Sequence, residues 1–182
     1  MRRVVRRLVI GGLLVAVLAW LVVRAQHQFE PPPPVVARPD TVSTGLRTVR
    51  LWFSAPNGDS LVSESRDVAE SGVMRERVSA LVAELALGSR HGAVSALPAG
   101  TRAVHVYLDE RGLMTLDLSQ AFAAEFHGGS GAEYLAVASL VRTIGDNLPE
   151  VKQLLLVCGG APLGSLGGHL PLDRPIDVSD WP

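Results

Sequence analysis

Leu8–Val23 is an unbroken run of apolar residues and glycine, with Arg2, Arg3, Arg6 and Arg7 before it and Arg24 directly after it. Wound as a helix, these 16 residues reach roughly 24 Å at ~1.5 Å per residue. That is slightly less than a hydrocarbon layer of about 30 Å. Arg7 and Arg24 make up the difference by extending their charged ends toward the headgroups. The four leading arginines place the N-terminus on the cytoplasmic side, so everything after Arg24 is expected outside. A cleaved secretory signal is the alternative, with Val23-Arg24-Ala25 at the cleavage position. Trp20 and the aliphatic run that continues to that point argue for retention. No cysteine directly follows the run, so it carries no lipid-attachment residue. Both readings export the rest of the chain.

The arginines also unbalance the charge. The whole chain is formally −1, but no acidic residue precedes Glu30 and five of the 17 basic residues lie in the first 24 positions. The remainder of the chain carries 12 basic against 18 acidic side chains, a formal charge of −6. An acidic body does not suit phosphate-backbone binding, which draws its affinity from Lys and Arg. With aromatic residues at 5%, there is also little with which to stack bases, so nucleic acid is not an expected partner. The single cysteine excludes an internal disulfide framework and a cysteine-based structural zinc site.

Residues 25–46 hold Pro31-Pro32-Pro33-Pro34 and Pro39 with little apolar content, the composition of a stiff polyproline II spacer. The expected organisation is a cytoplasmic arginine cluster and transmembrane helix over 1–24, a Pro-rich extracytoplasmic spacer over 25–46, and a globular domain over 47–182. In that domain Val49, Leu51 and Phe53 alternate as in a half-buried strand, Asn57-Gly58 marks a turn, and Leu61–Val68 is a second extended segment. Met74, Val78, Leu81, Val82 and Leu85 recur at helical spacing up to Gly88. Val104, Val106 and Leu108, then Met114, Leu116 and Leu118, read as a hairpin around Asp109–Gly112. Ser130-Gly131-Ala132-Glu133 has the capping-box pattern, and Tyr134, Val137, Val141, Ile144 and Leu148 form the stripe of a second helix. Leu154–Cys158 is apolar on both faces, as in a central strand or one with a face at an interface. The order β-β-α-β-β-α-β predicts an α+β domain: one small mixed or antiparallel sheet with two helices packed on one face, preceded by one transmembrane helix.

Taken in order, VRLWFS (Val49–Ser54), NGD (Asn57–Asp59), LVSESR (Leu61–Arg66), ELALGS (Glu84–Ser89), SALPAGT (Ser95–Thr101), LDLS (Leu116–Ser119) and GSLGGHL (Gly164–Leu170) resemble the GerMN family of sporulation and spore-germination domains. The set spans nearly all of Arg47–Pro171. It departs from the family pattern at Gly88-Ser89, where Gly-Pro is common, and at Cys158-Gly159. The resemblance implies an extracytoplasmic bacterial module, often anchored to the membrane, with a fold similar to ring-building motifs of envelope assemblies. It brings no catalytic residues and no cofactor.

Several residue types could carry chemistry irrespective of that resemblance. His127-Gly128-Gly129-Ser130-Gly131 looks like the oxyanion loop of esterases, but Gly128–Ala132 lacks the second glycine of a G-x-S-x-G elbow. Loop and helix cap is the simpler reading of Ser130. Cys158, His169 and Asp173 can be written as a Cys-His-Asp set, although a cysteine at the end of a buried strand is commonly inert; an intermolecular disulfide is its other use. His27, His91, His105, His127 and His169 never fall at metal-ligand spacing. Glu64 and Arg66 share a face of an extended segment, as a surface pair or as holders of a neighbouring loop. Asp117 is expected to project outward or to anchor the turn at Ser119. No catalytic, cofactor-binding or metal residues are therefore assigned. The expected function is non-enzymatic association with an envelope or membrane protein, self-association included, with the membrane engaged through Leu8–Val23. A small exported hydrolase using Ser130 or Cys158, or a binder of a cell-wall fragment, is the alternative.

Overall fold

The computed structural model describes residues 45–181, together with Trp20. Chain contacts divide the protein into two units, Met1–Thr41 and Val42–Pro182, and every element below belongs to the second. Apart from Trp20, the expected transmembrane helix lies outside the described residues, as does most of the spacer. Among the described residues, no helix is long and apolar enough to cross a membrane.

Seven main elements occur in the expected order. They are β1 (Leu46–Ser54), β2 (Leu61–Ala69), α1 (Met74–Leu87), β3 (Ala103–Leu108), β4 (Leu113–Leu118), α3 (Ser130–Asn147) and β5 (Gln153–Cys158). A four-residue helix, α2 (Ala121–Ala124), precedes α3. The C-terminal extension adds two short strands, β6 (Ala161–Pro162) and β7 (Ile176–Asp177), and a 3-10 turn (Val178–Asp180).

The single expected sheet is in fact two. β1 and β2 form an antiparallel pair, while β3, β4, β5, β6 and β7 form a separate mixed sheet in which β4 and β5 run parallel. The reason lies at the edge of β1. Side chains of α3 occupy that edge where a further strand would otherwise pair. Thr143 Oγ1 accepts from the Trp52 amide at 3.0 Å, and Ser139 Oγ donates to the Trp52 carbonyl. Asn147 Oδ1 accepts from the Arg50 amide at 3.0 Å, and its Nδ2 donates to the Arg50 carbonyl at 2.6 Å. Ser54 completes the edge with a two-way backbone bridge to Val94. Ser139, Thr143 and Asn147 follow one another at intervals of four, so they form one stripe along the helix.

The rest of the core follows the apolar periodicity. Val49, Leu51 and Phe53 from β1, Val78, Leu81, Val82 and Leu85 from α1, and Val137, Val141, Ile144 and Leu148 from α3 are buried with Met114, Leu116, Leu118, Leu154 and Leu156. Each such fully buried Leu, Phe or Met contributes about 1.5–3 kcal/mol relative to exposure. Tyr134 departs from its expected stripe: it is 44% exposed and stacks on Trp181 with ring centroids 5.0 Å apart. Val104 also faces out, because the β3–β4 register shifts between Ala103 and His105 and breaks the alternation there. β5 alternates rather than burying both faces, with Leu154 and Leu156 fully covered and Leu155 and Val157 half-covered. Gly112 closes the β3–β4 turn at a φ of 90°, where a Cβ would also lie 2.9 Å from the Glu150 carbonyl.

Removing the α3 stripe is expected to destabilise the domain without altering its apolar core. Thr143→Val strands the Trp52 amide and Asn147→Leu strands both polar groups of Arg50. Each change should lower the unfolding free energy in a urea titration by about 1–3 kcal/mol, with the larger loss at Asn147.

Candidate functional site

Two loops beside the core are held by carboxylates that enter from regular elements. The first follows α1. On β2, Glu64 and Arg66 point inward and are 8% and 4% exposed, so the pair is buried rather than superficial. Arg66 bonds Glu64 at 2.8 Å and Glu84 of α1 at 2.7 Å, and it also donates to the Gly88 carbonyl. Its guanidinium lies 5.2 Å from the centroid of the Phe53 ring. Glu64 accepts from Ser89 Oγ at 2.8 Å and from the Arg90 amide at 3.1 Å. Holding a neighbouring loop is therefore the role the pair performs. Burial alone would raise the Glu64 carboxyl, but hydrogen bonds from Ser89, Arg66, the Arg90 amide and His91 outweigh it and bring its pKa from 4.5 to about 2.

The second loop is the glycine-rich 164–170 segment, and Glu133 organises it. The expected capping box does not form: Gly129 caps α3 and no side-chain hydrogen bond closes its first turn. Glu133 instead turns into the body, where it is fully buried. It accepts from the Leu166 and His169 amides at 2.9 Å and faces His169 Nδ1 at 3.1 Å. Burial would raise this carboxyl too. Four backbone amides, those of Gly167, His169, Leu166 and Leu170, offset that and hold its pKa at about 2. Asp117 follows the same logic and neither projects outward nor anchors the Ser119 turn. It accepts from the Gly160 amide at 3.1 Å and meets His105 Nδ1 at 3.1 Å. Burial opposes its ionisation, but these bonds win and its pKa is lowered.

None of these carboxylates is tuned for proton transfer. A general acid at neutral pH needs a raised pKa, whereas these are depressed and their oxygens are already engaged. The residues singled out for nucleophilic chemistry do not converge either. Ser130 is exposed in the first turn of α3, and no described histidine is hydrogen-bonded to it. His127 Nδ1 lies 2.8 Å from the Glu125 carbonyl oxygen. Cys158 is half-buried and its Sγ donates to the Ser119 carbonyl at 3.4 Å, while His169 is engaged with Glu133. Asp173 has an exposed side chain beside Arg174. Among the described residues, no three His, Cys, Asp or Glu side chains are grouped to hold a metal ion.

Two clefts open at the surface, the second of them beside the anchored Ser89. A cleft of about 380 Å³ opens between the 94–98 segment and the 125–135 region, with Leu97, Phe126 and Leu135 among its apolar walls and Glu125 and His127 among its polar ones. A second, of about 470 Å³, lies beside β2 over Phe53, Val62 and Ala93, with Ser89 and His91 on its rim. Sequence periodicity missed the roles of Glu133 and Glu84. The available signal was a carboxylate on the inner side of each helix with no basic residue in reach along that helix.

Both anchors lose charge in acid, and the sign is fixed by their depressed pKa values. Their contribution to stability is complete above about pH 4.5 and is lost as pH falls toward 2. The melting temperature should therefore be flat near neutrality and decline across that window. Glu133→Gln should flatten the decline, lower stability at neutral pH by on the order of 2 kcal/mol, and speed hydrogen exchange at 166–170 more than in β4.

The model of the family described as "Germane: Sporulation and spore germination" matches residues 50–164. A search of curated proteins finds no match. Among solved structures, the first GerMN domain of the sporulation protein GerM from Bacillus subtilis superposes with a TM-score of 0.59 at 18% identity, covering 72% of this chain and 97% of that one. The tandem GerMN domains of the same protein give 0.53 at 19% identity, covering 74% of this chain and 46% of that one, so this chain spans about half the tandem. A Clostridium perfringens protein described as a lipoprotein gives 0.53 at 18% identity, covering 75% of this chain and 90% of that one. At these identities the likenesses speak for the fold, and they agree with the family match on an α+β domain. The ordered motifs from the β1 strand to the glycine-rich loop thus have one explanation: this chain belongs to the Germane family of sporulation and spore-germination domains.

Proposed function

We propose that this protein is a membrane-anchored, extracytoplasmic module of the bacterial cell envelope that acts by binding other proteins and catalyses no reaction. In this reading residues 1–24 are a cytoplasmic arginine cluster and transmembrane helix, 25–46 a stiff spacer, and 47–182 the working domain. The role belongs to sporulation, germination or envelope upkeep, as the family description and the GerM structures suggest.

The observation that carries the reading is what the buried charges do. Glu64, Asp117 and Glu133 are each spent on fixing a loop, and no described histidine is hydrogen-bonded to Ser130 or Cys158. Rigid, shaped loops on a small scaffold suit recognition, because binding then costs little ordering entropy. The apolar run Leu8–Val23 with its leading arginines supports export and retention at the membrane. The likeness to a protein described as a lipoprotein is in keeping with that placement.

Alkaline phosphatase fused after the last residue should be active, and the mature N-terminus found by mass spectrometry should begin ahead of Leu8. In-membrane cross-linking should then join the domain to a defined envelope protein, and replacing loop 164–170 by a short glycine-serine linker should abolish that adduct. An expressed but inactive fusion would sink the proposal, as would turnover of an ester or wall substrate lost on Ser130→Ala or Cys158→Ala.

A further inference from the structure

The outer edge of β2 is the long, regular and open strand edge among the described residues. Arg50, Trp52 and Ser54 turn their backbone groups away from β2, toward α3 and Val94. Their register partners Ser65, Ser63 and Leu61 are therefore non-hydrogen-bonded pairs, and must turn their own amides and carbonyls away from β1. Those outward groups, with Asp67 and Ala69 continuing the series, bond no described residue. Of the usual protections of an edge, β2 has only inward-pointing charges, those of Glu64 and Arg66. β2 pairs with β1 over nine residues without a register shift, and it contains neither proline nor lysine. By contrast the edge of β1 is covered, β3 has a register shift, and β6 and β7 are two residues each.

We infer that this edge docks the β2 strand of a second copy, antiparallel, about a two-fold axis through Ser65. The inference rests on the proposal that the domain works by association and names one form of it. The strand is self-complementary in that register. With Ser65 opposite Ser65 of the second copy, Ser63 faces Asp67, Leu61 faces Ala69 and Val62 faces Val68, while Glu64 stands opposite Arg66 and Arg66 opposite Glu64. Sliding the axis by one residue sets Glu64 against Glu64, or Arg66 against Arg66, in the low-dielectric inner face. The inward charges that would repel an arbitrary strand therefore select this one. Asp67 is already held at the outer face by Thr48 Oγ1 at 2.7 Å, ready for the hydroxyl of Ser63 across the axis. Val62, 41% exposed on the inner face, gains an apolar neighbour. Two two-stranded sheets become one continuous sheet of four.

The test uses the full-length chain in membranes. Ser65→Cys in a Cys158→Ser background should give a covalent dimer with a short bis-maleimide, whereas Tyr107→Cys on β3 should stay monomeric. Two differently tagged copies should co-purify. Recovery should fall several-fold when both carry Ser65→Lys or both carry Ser65→Glu, and return when one copy carries each. Ser65→Pro should abolish it while the domain still unfolds cooperatively as a monomer, because the amide it removes serves no bond within the chain. Absence of the Ser65→Cys dimer, co-purification indifferent to the charge swap, or cross-linking of Ser65→Cys to a different protein would each overturn the inference. A monomer that still captures a distinct envelope protein through loop 164–170 would overturn it and leave the proposed function standing. A dimer with a cytosolic C-terminus would do the reverse.

Discussion

The pairing of one helix with one strand edge governs this architecture. A strand buried against a core must satisfy both rows of its backbone polar groups, since an orphaned amide or carbonyl costs about 1–3 kcal/mol. β1 satisfies one row with β2 and the other with Ser139, Thr143 and Asn147, the polar stripe of α3. That substitution lets two sheets share a single core without a continuous ladder between them. It also explains why a helix otherwise lined with Val, Leu and Ile carries fully buried hydroxyls and a nearly buried amide. Their hydrogen bonds are long-range in sequence, so they fix how the N-terminal hairpin sits on the rest of the domain.

A second theme is the buried carboxylate as a loop clamp. Glu64, Asp117 and Glu133 sit on three different elements, yet each accepts hydrogen bonds from amides or hydroxyls of a glycine-containing connection. The arrangement offsets desolvation by giving each oxygen several donors, which is why all three pKa values fall despite burial. The same saturation removes them from acid–base chemistry. Shape at the surface, not reactivity, is what these charges produce.

Much of the fold was legible from apolar periodicity. Alternation found β1, β3 and β4, Leu61–Val68 read as an extended segment matches β2, and the 3.6-residue stripes found α1 and α3, because burial of those side chains is what the periodicity records. Polar contacts between distant segments leave no such trace. Ser130 and Glu133 have the spacing of a capping box, but the amides of loop 164–170 compete for Glu133 and offer it more donors than the helix end does. Asp117 breaks an apolar strand pattern, and local reasoning put it in solvent; only the fold brings Gly160 and His105 to it. Tyr134 sits in the right helical phase for the core, but stacks on Trp181 near the chain's end, which periodicity within α3 does not register. The division into two sheets was hidden for the same reason, since it depends on side chains replacing a strand.

The clamp on loop 164–170 recognises peptide N–H groups and little else. Leu166, Gly167, His169 and Leu170 are all gripped through the main chain; the His169 ring adds a contact of its own, and a Cβ at Gly167 would come within 3.2 Å of the carboxylate. Through the carboxylate, such a mount constrains the identity of Gly167 and His169 but not that of Leu166 and Leu170. Exchange of side chains at 166 and 170 thus leaves the clamp intact and asks for no redesign of the scaffold beneath.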